Sequence, residues 1–210
     1  MEATAVVVFV LVYLGMILGG FPRLALDRTG VALLGAIVLV AGGDLTLHEA
    51  ADAVDAPTLA LLFGLMIVSA QLWLGGFYTH VTRLLAARRA SPQALLAALV
   101  ATAGALSALL ANDIVCLAMA PVLVEVCARR GLDPVPFLLA LACAANVGSA
   151  ATLIGNPQNM LIGETLRLSF AGYLADALVP SALGLAATWG LLAWQWRGRF
   201  ERETPVPVVH

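Results

Sequence analysis

The sequence predicts an all-α membrane protein with about five membrane-crossing helices, one of them unwound at mid-membrane, and one re-entrant helical hairpin. Three observations support this fold class. Of the 210 residues, 61% are hydrophobic and only 11% are charged, far from the composition of a soluble domain. Apolar runs of nearly bilayer length alternate with short polar links. Two of the runs are interrupted by polar residues.

We treat residues 1–210 as one transmembrane domain with six segments. Residues 3–77 hold the scaffold spans, built from apolar runs at 3–20, 30–43 and 58–77. Residues 78–92 alternate arginine with aliphatic residues, a pattern typical of a helix that lies flat in the membrane interface. The remaining segments are a re-entrant hairpin at 93–127, a broken helix at 135–166, a last span at 173–196 and a polar tail at 197–210.

The arginines indicate on which sides of the membrane residues 93–127 enter and leave. All 11 basic residues are arginine, and ten of them fall on one side if residues 93–127 enter and leave on the same face. A single crossing would split them six to five. This placement of the arginines does not distinguish a hairpin from two thin spans, because both return the chain to the same side. The polar tip at Asn112 and Asp113, and the short second arm at 114–127, favour the hairpin.

The broken helix is predicted from polar residues inside the apolar run 135–163. Pro157 pushes the preceding Asn156 away from helical backbone angles, which indicates a break there. Irregular backbone at membrane depth is tolerated where protein or a water-filled cavity satisfies it, so the break should line a solute or ion site. Hydrogen bonding between helices is the structural alternative. The candidate residues are Asn146, Gly148, Ser149, Thr152, Gly155, Asn156, Pro157 and Asn159.

Asp113 is the acidic residue that we place deep in the membrane. An intramembrane carboxylate is a functional candidate because burying it unpaired is costly. We expect Asp113 to bind a proton or cation, together with its neighbour Asn112. A possible Na⁺ site lies near Asp113 and Asn146. The structural alternative is a helix N-cap, for which Asn112 and Asp113 are both suitable.

Other classes of function find little support. A formal charge of −2 argues against a nucleic-acid partner. Cys116, Cys127 and Cys143 lack metal-ligand spacing, so we expect free thiols, and no cofactor is expected. No serine, histidine and carboxylate arrangement indicates an intramembrane enzyme. The expected partners are the lipid bilayer and a small ion or anion.

Three stretches resemble the ion transporter superfamily: ANDIVCLAMAP at 111–121, DPVPFLLA at 133–140 and ANVGSAATLIGNPQNMLIG at 145–163. They are most similar to its arsenite permease and sodium/proton antiporter branch. The resemblance implies two inverted repeats, each with a hairpin and an unwound helix, and elevator-like motion. It assigns Asn112 and Asp113 to the hairpin tip, and Asn146, Gly148, Ser149, Gly155, Asn156, Pro157 and Asn159 to the unwound helix. Dicarboxylate carriers typically have Ser-Asn-Thr at the tip, which argues against citrate or succinate here.

The resemblance extends over residues 3–196, yet the chain holds one repeat. We therefore expect a homodimer, a second half-transporter chain, or a fragment of a longer permease. The function predicted is half of a secondary transporter, for instance an antiporter of the cell inner membrane, that moves a small anion, oxyanion or ion coupled to H⁺ or Na⁺. A non-transporting membrane subunit is the alternative, and it predicts that polar-to-apolar changes at both breaks are tolerated.

Overall fold

The computed structural model describes residues 2–18, 27–87 and 90–201. Within these residues it contains ten α-helices and no β-strand, apart from an isolated bridge between Leu132 and Glu201. The all-α prediction is confirmed for this part of the chain. The end of the predicted first span (19–20), part of the following link (21–26), part of the interfacial segment (88–89) and most of the tail (202–210) lie outside the described residues.

The chain divides into two compact units, Met1–Ala56 and Pro57–His210. The first unit contains α1 (Glu2–Ile17), α2 (Arg28–Ala41) and α3 (Leu47–Asp52). α1 packs against α2, and Gly35 lets the two helices approach because a Cβ there would overlap the Val12 side chain. Most large side chains of both helices are exposed, as expected of helices in contact with lipid.

The acidic stretch between the second and third apolar runs contains a helix that we did not predict. Thr46 and Glu49 form a capping box around the start of α3. The Glu49 Oε2 atom accepts from the Thr46 backbone N–H and hydroxyl, each at 2.8 Å, and the Glu49 N–H donates to Thr46 Oγ1 at 3.2 Å. The Ser/Thr-x-x-Glu signature was present in the sequence, so this helix could have been predicted.

The capping box should make α3 sensitive to pH. The Thr46 backbone and hydroxyl hydrogen bonds lower the pKa of Glu49 below its ordinary 4.5. Because the folded-state pKa is depressed, the stabilisation of α3 is present above the ordinary value and is lost as pH falls through the lowered one. Thr46→Ala should return the Glu49 pKa towards its ordinary value, as measured by carboxyl NMR titration. Thr46→Ser keeps the hydroxyl and should preserve the shift; an unchanged Glu49 pKa in Thr46→Ala would contradict this assignment.

The second unit contains seven helices in chain order. They are α4 (Ala56–Leu74), α5 (Phe77–Ala87), α6 (Pro92–Leu109), α7 (Asn112–Arg129), α8 (Pro134–Ser149), α9 (Pro157–Thr165) and α10 (Phe170–Gln195). Within the described residues α4, α6 and α10 are long and apolar enough to cross a membrane, and α8 is a shorter apolar helix. Since α6 has the length of a span, helix length alone does not distinguish a hairpin from two spans, and the number of crossings stays a prediction.

The core of the second unit is formed by α6 and α8. These two helices pack closely where Gly104 and Gly148 meet, and α7 and α10 flank them. Leu96, Met119 and Phe137 are fully buried between them. α5 is amphipathic and packs on α7 with Tyr78 and Thr82 buried, so this helix has one face on the core, as a helix in the interface would.

The predicted polar tail starts with an ordered segment. The Phe200 side chain is buried, and its ring centroid lies 5.9 Å from that of Phe137. The Phe200 carbonyl accepts from the Asp133 N–H at 2.9 Å, next to the bridge between Leu132 and Glu201. The chain after α10 therefore returns to the turn between α7 and α8. A phenylalanine among charged residues was the available signal.

Candidate functional site

The tip of the helix pair α6–α7 is a two-residue connection. α6 ends at Leu109 and α7 begins at Asn112, with Leu110 in an extended conformation. Ala111 precedes α7 and provides no side-chain cap, so the structural alternative of an Asn112 or Asp113 N-cap is not what the structure shows. Asn112 is the first helical residue, and its Nδ2 lies 3.4 Å from Asn146 Oδ1 on α8. The tip and the end of α8 are thus in contact.

The predicted helix break is present. α8 ends at Ser149, residues 150–156 are not helical, and α9 begins at Pro157. Asn156 is the N-cap of α9, in the extended conformation that a residue before proline prefers, and its Oδ1 accepts from the Asn159 N–H at 2.8 Å. Proline at the first helical position lacks the N–H that would have no partner there. The local sequence therefore accounts for the restart of the helix.

Amide side chains satisfy the backbone around the break. Asn159 Nδ2 donates to the Thr152 carbonyl at 2.9 Å and lies 3.4 Å from the Ser149 carbonyl. The Ser149 hydroxyl donates to the Asn146 carbonyl at 2.8 Å, and Asn156 Nδ2 lies 3.3 Å from the Ser149 Oγ. These contacts hold the irregular backbone in one arrangement, as required where water cannot satisfy it.

Two further hydroxyls tie the break to its neighbours. The Thr152 hydroxyl donates to the Ala108 carbonyl in the last turn of α6, so it supports the tip of the helix pair α6–α7. The Tyr173 hydroxyl on α10 donates to the Ala150 carbonyl at a distance of 3.2 Å. Sequence reasoning missed Tyr173 because nothing local shows that the first turn of the last span reaches the break.

The two predicted glycines allow close packing. A Cβ at Gly148 would overlap the Gly104 backbone, and a Cβ at Gly155 would overlap the Ser149 carbonyl. Neither residue has a positive φ angle. Both are buried, as is Thr152, so all three shape the site from behind its surface. Their role as binding residues stays a prediction.

A cavity of about 440 Å³ lies between the tip and the break. Seven of the predicted residues line it together with Gln158, and the full lining is Asn112, Asp113, Asn146, Ser149, Asn156, Pro157, Gln158 and Asn159. Gln158 belongs to the polar stretch but was not among the predicted site residues. Apart from one carboxylate, the lining side chains are neutral, and none is basic.

The charge in the cavity comes from Asp113. Its side chain is exposed to the cavity and makes no hydrogen bond or ion pair with the described residues. Asn112 and Asn146 place further oxygen atoms nearby, and carboxylate and amide oxygens are the ligands that hard cations prefer. In the part of the chain that the structure describes, no group of three His, Cys, Asp or Glu side chains is placed to hold a metal ion. A cation here would depend on one carboxylate with amide and carbonyl oxygens.

Comparison with known families decides the class of the protein. The model of a family described as citrate transporter matches residues 6–206, which is nearly the whole chain. The chain belongs to this family. The resemblance to ion transporters noted in the sequence is thereby confirmed, and members of the family are transporters rather than enzymes. The protein is accordingly a multi-pass membrane protein.

Three relatives show the range of the similarity. The silicon efflux transporter LSI3 of Oryza sativa subsp. japonica is 37% identical over 84% of this chain and 36% of its own length. A putative transporter arsB of Dictyostelium discoideum is 29% identical over 81% of this chain and 30% of its own length. An uncharacterized transporter of Mycobacterium tuberculosis is 34% identical over 92% of this chain and 45% of its own length. The chain spans less than half the length of these relatives.

Proposed function

We propose that the chain forms one half of a secondary active transporter that moves a small solute across the cytoplasmic membrane. The observation that carries the proposal is the polar cavity between the tip of α6–α7 and the break between α8 and α9. Two interrupted helices that meet at a cavity place backbone dipoles and amide side chains around one guest. The family and the relatives support a transporter as the class.

The lining chemistry supports a small hydroxylated solute. Amide and hydroxyl groups both donate and accept hydrogen bonds, so they suit an oxyacid or a singly charged oxyanion. A multiply charged carboxylate would lie beside Asp113, and no basic side chain among the lining residues would compensate its charge. The name of the rice relative, a silicon efflux transporter, agrees with a small oxyacid as the substrate.

The coupling ion is proposed to bind at Asp113. The carboxylate at the start of α7 lies with Asn112 and Asn146 on the wall of the same cavity, so ion and solute would interact directly. Either a proton on the carboxylate or a Na⁺ ion between the carboxylate and the amide oxygens would neutralise the charge before the site moves. Such neutralisation is needed because an unpaired carboxylate is costly in the membrane.

A second half is proposed to complete the site. Asp113 and Asn146 are exposed on the surface of this unit, and polar groups at membrane depth must face protein or water. A second copy of the chain, a sister chain or a further part of a longer protein could provide that cover. The relatives, more than twice the length of the matched region, are consistent with such a second half.

Removing the amide of Asn156 tests the proposal. Asn156→Ala deletes the N-cap of α9 and the contact to Ser149, which positions the cavity wall. We expect solute flux in proteoliposomes that hold the complete transporter to fall at least ~10-fold, equivalent to about 1.4 kcal/mol. Loss of a cap destabilises a helix by ~0.5–2 kcal/mol in any position, so a control for stability is needed.

Ser169→Ala is the matched control. It removes the N-cap of α10, where the Ser169 hydroxyl oxygen accepts from the Gly172 N–H at 3.0 Å, outside the cavity. Its thermal stability should fall by a similar amount while its flux is kept. Equal flux in Asn156→Ala and the unchanged protein would support the non-transporting subunit instead.

A further inference from the structure

The amide side chains that line the polar cavity differ in how many of their hydrogen-bonding atoms are already used. Asn156 donates from Nδ2 to the Ser149 Oγ and accepts at Oδ1 from the Asn159 N–H. Asn159 donates from Nδ2 to two carbonyls of the break. Both side chains therefore hold the irregular backbone in place, and a solute would have to compete with these contacts.

The polar side chains at the end of α8 are engaged in the same way. Asn146 donates from Nδ2 to the Ala142 carbonyl of its own helix at 2.9 Å, and its Oδ1 accepts from Asn112 Nδ2 at 3.4 Å. The Ser149 hydroxyl donates to a backbone carbonyl and accepts from Asn156. These contacts fix α8 against the tip of α6–α7, so they are internal to the protein.

Gln158 differs from the other lining amides. Its side chain is exposed to the cavity and makes no hydrogen bond with the residues that the structure describes. Of the lining amides in this part of the chain, it is the one that keeps both its donor and its acceptor uncommitted. Its backbone is held in the first turn of α9, directly after Pro157 and the N-cap Asn156. A fixed backbone thus presents a free carboxamide.

The two groups of amides differ in what solute binding would cost. A solute that bonds to the Asn156 or Asn159 side chain displaces a hydrogen bond of the break and leaves a backbone group without its partner, which is unfavourable away from water. A solute that bonds to Gln158 displaces only water. Recognition at Gln158 therefore leaves the break intact.

We propose that Gln158 is the side chain that recognises the solute in this cavity, and that the solute is an uncharged oxyacid. A carboxamide presents an accepting oxygen and a donating nitrogen side by side, so it can accept from one hydroxyl of an oxyacid and donate to a second oxygen. One carboxylate, from Asp113, and no basic side chain among the lining residues suit an uncharged solute. This inference rests on the proposed function, since it names the residue that contacts the transported solute.

Gln158→Met tests the role of the carboxamide, because it removes both hydrogen-bonding atoms at a similar side-chain length. The measurement is flux of silicic acid in proteoliposomes of the complete transporter. The half-saturating concentration should rise about 10-fold with maximal flux kept, as expected for the loss of two hydrogen bonds to a neutral solute. The unfolding temperature should not change. An unchanged half-saturating concentration, with or without a lower unfolding temperature, would overturn the proposal. Gln158→Ala is measured in the same way if Gln158→Met does not fold.

Gln195→Met is the matched control, since it makes the same chemical change at an exposed position at the end of α10, outside the cavity. Both flux parameters should be kept there. Competition tests the class of solute: boric acid, an uncharged oxyacid, should inhibit silicic acid flux, whereas nitrate, a singly charged oxyanion, should not. Equal inhibition by both, or no flux of silicic acid or boric acid in the unchanged transporter, would overturn the proposal.

Failure of this inference can be distinguished from failure of the proposed function. If Asn156→Ala lowers flux and Gln158→Met leaves the half-saturating concentration unchanged, the cavity transports solute and Gln158 does not recognise it. If neither substitution changes flux at any solute concentration, the proposed function is rejected together with the role of Gln158.

Discussion

Replacing Asp113 by asparagine should abolish coupled flux. The change keeps the shape of the side chain but removes the charge that would bind H⁺ or Na⁺ in the cavity. We expect the concentration gradient of the coupling ion to lose its effect on solute movement, with flux at least ~100-fold lower, about 2.8 kcal/mol. The measurement is solute flux in proteoliposomes of the complete transporter, with and without an imposed H⁺ or Na⁺ gradient.

Asp176→Asn is the control for the loss of an acid. Asp176 is exposed on α10 and does not line the cavity, so the same chemical change there should leave flux unchanged. Retained gradient-driven flux in Asp113→Asn would reject Asp113 as the ion-binding residue. Retained flux that no longer responds to either gradient would show that Asp113 couples transport without binding the solute.

Gly148→Ala should strongly destabilise the protein. The new Cβ would overlap the backbone of Gly104, and backbone cannot move aside as a flexible side chain can. Forced overpacking costs about 1–3 kcal/mol, and here it would separate α6 from α8, the two helices that position the tip and the break. The expected result is a lower unfolding temperature in detergent or nanodiscs, by several degrees.

Gly190→Ala is the matched control on α10. A Cβ at Gly190 meets no atom within 4 Å, so the substitution gains helix propensity, up to ~1 kcal/mol, without overpacking. It should leave the unfolding temperature unchanged or raise it slightly. If Gly148→Ala is as stable as Gly190→Ala, the close crossing of α6 and α8 is absent in the membrane.

The break could be predicted from the sequence because its cause is local. Pro157 restricts Asn156, and an asparagine before a proline is both a break and an N-cap for the helix that follows. The capping box of α3 has an equally local signature and was overlooked. Contacts over long separations were not predictable: the Tyr173 hydroxyl reaches the Ala150 carbonyl across 23 positions, and no local pattern specifies it.

The sequence by itself determined the all-α membrane class, the position of the break and most of the cavity's polar side chains, since hydrophobicity, proline geometry and capping act over a few neighbouring residues. Only the tertiary structure decided which of those side chains share a cavity. It turned Asn112, Asp113 and Asn146 towards one space and placed Gly148, Thr152 and Gly155 behind it. The reason is that α6 and α8 cross where Gly104 and Gly148 meet, and no local sequence pattern shows that these two distant glycines lie together.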